Sequence, residues 1–138
     1  MTASAPVTGR PLAALRVAHL VTGVLATLGI LGALRTGLDR TENLIVFETG
    51  PGLALTWLVL GLVGGGMAHE PAGAVRYLIL VGPAAAALTV GGLIGAGPSM
   101  FTGDPQVVGL HGLIAVLALG AVALVRSGTR ARPEVAED

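Results

Sequence analysis

A chain of 138 residues has room for one domain. Only 12% of its residues are charged, against 53% hydrophobic, about half the charge of an ordinary soluble domain, and the mean hydropathy is +0.82. So little polar surface cannot coat a water-soluble globule, zero net charge leaves no basic surplus for nucleic acid, and the lack of cysteine excludes disulfides, thiolate metal sites and cysteine nucleophiles.

After a polar N-terminal segment (residues 1–10), charges fall at intervals along the chain and leave four apolar runs between them. Span 1, about 12–34, contains VAHLVTGVLATLGILGAL between Arg16 and Arg35; its length and the lack of a cleavage site predict a retained helix rather than a signal peptide. Span 2, about 52–68, is GLALTWLVLGLVGGGMA and ends at His69 and Glu70. Span 3, about 75–97, carries Pro83, which predicts a kink near its inner third. Span 4 covers about 105–125, and the polar tail 126–138 is expected to be disordered.

Each run is within or near the ~17–25 residues that cross ~30 Å of hydrocarbon as a helix. None alternates polar with apolar residues, so a barrel is excluded and the backbone must satisfy itself as helix. The predicted fold is all-α: four transmembrane helices in a bundle, residues 11–125. Arg10, Arg16, Arg76, Arg126, Arg130 and Arg132 fall on one side, and only Arg35 and Arg40 on the other. By the positive-inside rule both termini are cytoplasmic. All eight basic residues are arginine, a bias expected of a GC-rich genome, and the expected location is a bacterial cytoplasmic membrane.

Small residues let helix backbones approach closely in lipid. Span 3 offers Ala87, Gly91 and Gly95, span 2 offers Gly61 and Gly65, and span 1 offers Gly23 and Thr27. These faces predict contact with a protein partner or a second copy, besides membrane lipid.

Spans 2 and 4 share a pattern at their outer ends. Phe47 precedes Pro51 by four residues and Trp57 follows it by six; Phe101, Pro105 and His111 repeat the spacing. A small residue comes four later, Gly61 or Ala115, so the pattern predicts a parallel repeat of two hairpins. On these residues the chain resembles a group of four-helix membrane proteins of unknown function from high-GC bacteria. In that group spans 2 and 4 each open with a turn and a His followed four residues later by Gly. HGLIA at His111 matches with Ala in the Gly place, WLVLG at Trp57 matches with Trp in the His place, and RYLILVG from Arg76 resembles the start of the third span. The resemblance implies four helices and no known activity, and Trp57 breaks any paired-His site.

Ionisable groups in a bilayer mark functional sites by default, yet no Asp or Glu lies inside any predicted span. That argues against ion-coupled transport. The candidate ligand-binding residues are His111 with Trp57 near the outer face and His19 with Arg16 near the inner boundary. Arg16 can snorkel to headgroups, and the threonines are expected to bond their own i−4 carbonyls. Counted at 1.5 Å per residue, His19 and His111 lie about 10–16 Å apart in depth, too far to share a haem iron; His19 with His69 is the only workable pair. Glu48 and Asp104 sit where carboxylates favour helix N-termini. No nucleophile–base constellation, metal site or cofactor is predicted. The expectation is a non-enzymatic accessory or assembly subunit, or a self-associating bundle. The alternatives are a binder of quinone, lipid or haem near His111 or His19, and an oligomeric transporter or channel.

Overall fold

The computed structural model describes residues 9–36, 42–44, 47–95 and 104–130. Four helices form: α1 (Gly9–Thr36), α2 (Pro51–Met67), α3 (Pro71–Ile94) and α4 (Pro105–Arg130). Between α1 and α2 a short antiparallel ribbon pairs β1 (Glu42–Leu44) with β2 (Phe47–Thr49), Glu42 opposite Thr49 and Leu44 opposite Phe47. Apolar runs alone gave no sign of that ribbon. Arg40, Phe101, residues 1–8 and the tail from 131 lie outside the described residues.

Helices α1, α3 and α4 are long and apolar enough to cross a membrane; α2, at 17 residues, is shorter. Proline opens α2, α3 and α4, since its fixed φ suits the first helical turn and its missing N–H would go unpaired there anyway. Asp104 caps α4, its Oδ1 accepting the Gln106 amide at 2.8 Å, the placement favoured at a helix N-terminus. Helix α3 runs through Pro83 without a break and ends at Gly95, whose φ of 61° is the left-handed cap that glycine adopts freely. Helix α4 continues through Arg130, so residues 126–130, expected in a disordered tail, form its last turn.

The helices pair as two antiparallel hairpins, α1 with α2 and α3 with α4. Gly61 of α2 lies against Ala26 of α1, where an added Cβ would stand 2.5 Å from the Ala26 amide nitrogen. Gly29 is pressed likewise against Leu58, and Gly64 against Thr22 and Tyr77. In the second hairpin Gly82 meets Ala118 and Leu119, and Gly112 faces Thr89. One continuous core joins both hairpins, with Val21, Leu25, Leu53, Trp57, Tyr77, Leu78, Val81 and Val107 among its buried members.

The hairpins are equivalent in sequence register. Sixty residues separate Pro11 from Pro71, Ala14 from Ala74, Arg16 from Arg76, Val21 from Val81, Ala26 from Ala86, Leu28 from Leu88 and Gly32 from Gly92. Fifty-four separate Pro51 from Pro105, Trp57 from His111 and Gly66 from Gly120. Burial follows the same pairing: Ala14 with Ala74, Val21 with Val81, Gly61 with Ala115 and Gly64 with Ala118 are all buried, and both arginines are exposed. Under these two shifts the Gly29–Leu58 contact maps onto Thr89–Gly112, and Thr22–Gly64 onto Gly82–Ala118. The first connection is thus six residues longer than the second, and it carries the ribbon.

Candidate functional site

Trp57 lies two turns into α2 and His111 two turns into α4, each six residues beyond the proline that starts its helix. Equivalent positions of the two hairpins therefore reach the same depth, and there the side chains meet. The Trp57 indole Nε1–H donates to His111 Nε2 at 2.8 Å. The rings stand with centroids 5.8 Å apart and planes tilted by 51°. Trp57 is 0% and His111 3% exposed. Indole nitrogen can only donate, so the direction of the bond is fixed: Nε2 is the acceptor and the His111 proton sits on Nδ1. A neutral imidazole held this way is a clasp between the hairpins.

A second polar cluster lies further along the same interior. Tyr77, at the second turn of α3, is fully buried, with its ring over Gly64 and beside the Thr22 hydroxyl. Thr22 is the polar neighbour of the Tyr77 hydroxyl, but the two do not reach hydrogen-bonding geometry, and neither oxygen has a partner. A side chain on Gly64 would collide with both, so glycine there is what admits them. In the sequence Tyr77 is marked only by its place one residue after a boundary arginine; its proximity to Gly64 emerges from the fold.

The inner-boundary candidates stay apart from this interior. His19 is exposed and its Nδ1–H donates to the Leu15 carbonyl at 2.8 Å. Arg16 is exposed one turn before it. His69 is exposed in the tight turn between α2 and α3. Of the threonines, Thr56 and Thr89 donate to the carbonyls of Gly52 and Ala85 as expected, whereas Thr22 does not. Among the described residues no three of His, Asp and Glu cluster as metal ligands.

The small-residue faces divide. Gly61 is consumed by the α1–α2 contact. Gly65 and Gly23 face outward with open space around them. Ala87 is exposed and Gly91 half-buried on α3, and Gly95 is a helix cap. The close contacts inside the fold use Gly29, Gly64 and Gly82 instead.

No family model, curated protein or solved structure matches this chain. The resemblance carried by HGLIA, WLVLG and RYLILVG accordingly rests on those residues alone.

Proposed function

We propose that this chain is a non-enzymatic, four-span bundle of a bacterial cytoplasmic membrane, both termini inside, that acts through its outer helix faces on a helical partner. The partner is a larger membrane complex or a second copy. The supporting observation is the Trp57–His111 bond: this buried pair joins α2 to α4 and is closed on itself, so it serves to hold the hairpins together. The outer face of α3 offers Ala87 and Gly91 between exposed Val90, Leu93 and Ile94, the small-and-large relief on which helices pack in lipid.

The chain has no cysteine, so Ala87→Cys gives a single reactive thiol on that face. Cross-linking in native membranes is expected to trap a discrete product containing the chain, and purification in mild detergent to retain the same partner. A chain that runs alone in both experiments refutes the reading.

The small-molecule alternative is served better by His19 than by His111. A ligand at His111 Nε2 would displace the indole, while His19 is exposed and its one hydrogen bond among the described residues uses Nδ1. For haem, a Soret band in the purified protein is the test.

A further inference from the structure

The bond that joins the hairpins depends on a proton being absent. The Trp57 indole Nε1–H donates to His111 Nε2 at 2.8 Å, and an indole nitrogen never accepts. His111 can take this bond only while Nε2 is bare. An imidazolium carries N–H at both nitrogens, so protonation sets one donor against another in a contact closed to solvent on both sides.

Among the described residues no acidic group is placed to hold an imidazolium there. Helix α2 has no ionisable side chain, and those of α3, Arg76 and Tyr77, lie in its second turn, at the opposite end of the bundle. On α1, Arg10, Arg16 and His19 are also toward that opposite end, while Arg35 in the last turn adds only positive charge. On α4, Asp104 precedes His111 by seven residues, about 10 Å along the helix, and its Oδ1 accepts the Gln106 amide; Arg126 and Arg130 are at the far end. Glu42 and Glu48 belong to the ribbon, before α2 begins. The nearby Thr89 hydroxyl donates to the Ala85 carbonyl. A buried cation without a partner is so costly that the group stays neutral instead. His111 therefore accepts a proton only when the contact with Trp57 has opened.

We infer that Trp57 and His111 form an acid-release latch between the two hairpins, closed at neutral pH and opened when protons capture the freed imidazole. Above pH ~7 His111 is neutral whether the latch is open or closed, and the bond keeps its full worth. As pH falls through about 6.5, where a free histidine titrates, only the open state gains a proton. Opening is then favoured about tenfold more for each further pH unit. Between about pH 7.5 and 5 the equilibrium constant for opening thus rises about thirtyfold. The inference rests on the bond itself, and neither on which side of a membrane the termini face nor on any partner.

The test is unfolding of the full chain by SDS in mixed micelles, followed by helicity at about pH 7.5, 6 and 5, a range that brackets histidine and stays above most carboxylates. Acrylamide quenching of Trp57, the sole tryptophan, is the second readout. The chain has three histidines, and His19 and His69 are exposed, so His19→Gln with His69→Gln leaves His111 as the only one without touching the interior. Wild type and this double variant are both expected to show the thirtyfold rise in the unfolding constant, with Trp57 more open to acrylamide at the lowest pH. His111→Gln keeps an oxygen to accept the indole proton and cannot titrate; it has the same carboxylates as wild type and should lack the rise. His111→Leu, which neither accepts nor titrates, should lack it too, and helical content at neutral pH checks that each variant is folded. Asp104→Asn should leave the rise in place. The inference is overturned if the double variant changes by less than about threefold over the range, or if His111→Gln or His111→Leu responds to acid as wild type does. The double variant decides alone should neither replacement of His111 fold.

Discussion

The Trp57–His111 bond lends itself to a double-mutant cycle. Trp57→Phe keeps an aromatic ring but removes the only donor, leaving His111 Nε2 buried without a proton to accept. His111→Leu keeps volume but leaves the indole N–H unpaired in an interior that admits no solvent at either residue. Each orphaned group costs about 1–3 kcal/mol, and the smaller ring of Phe adds a packing loss. The double variant has no orphan, so its destabilisation should be less than the sum of the two. The coupling expected is about 1–2 kcal/mol, near the upper end for interhelical bonds in membranes. Loss of helicity on titration with SDS in mixed micelles measures all four proteins. Wild type and His111→Leu can be followed by fluorescence too, because Trp57 is the sole tryptophan. Additivity within about 0.3 kcal/mol would refute a bond that joins the hairpins.

The same titration checks three further expectations. Gly61→Ala should cost about 1–3 kcal/mol, since its Cβ would stand 2.5 Å from the Ala26 nitrogen, while Gly65→Ala, with open space around it, should cost nothing; equal effects would contradict the assigned α1–α2 face. Tyr77→Phe removes a buried hydroxyl that has no partner, so stability should hold or rise, and a loss above about 1 kcal/mol would mean the hydroxyl is bonded. Gly95→Ala should cost about 1–2 kcal/mol because of its φ of 61°, and a neutral result would remove the left-handed cap from α3.

Helices α1, α3 and α4 were legible because an apolar run bounded by arginines leaves the backbone no alternative to helix. The depth match of Trp57 and His111 was legible too, since counting from Pro51 and Pro105 fixes it. That the two touch was not, because depth does not say which way a helix face turns. Glycine misled for the same reason. Gly61 and Gly65 read alike by spacing, yet only one is pressed against α1. On an all-apolar helix there is no polar stripe to mark the outer side, so the usual amphipathic signal for rotation is missing. The ribbon of β1 and β2 was hidden for another reason: strands of three residues are too short to show a period.

The matching register of positions 57 and 111 bears on why a tryptophan faces a histidine. Positions 57 and 111 are equivalent, and they meet where one hairpin packs on the other. A duplicated hairpin would place the same residue on both sides of that contact. Two tryptophans would offer two donors and no acceptor, and at least one buried N–H would go unpaired. Two histidines could bond in opposite tautomers, but their smaller rings would leave part of the indole's volume empty, at a cost that grows with the cavity. One of each gives a donor, an acceptor and a filled interior. The glycines diverge in the same manner. In the first hairpin Gly29 is pressed on Leu58 and Gly64 on Thr22; in the second Gly82 is pressed on Leu119, while Gly112 meets Thr89 at ordinary van der Waals distance. At these two levels glycine sits on one helix of the first hairpin and on the non-equivalent helix of the second. Close approach within the two hairpins thus draws on glycines of different helices, while the contact between hairpins is made by two different residues, Trp57 and His111.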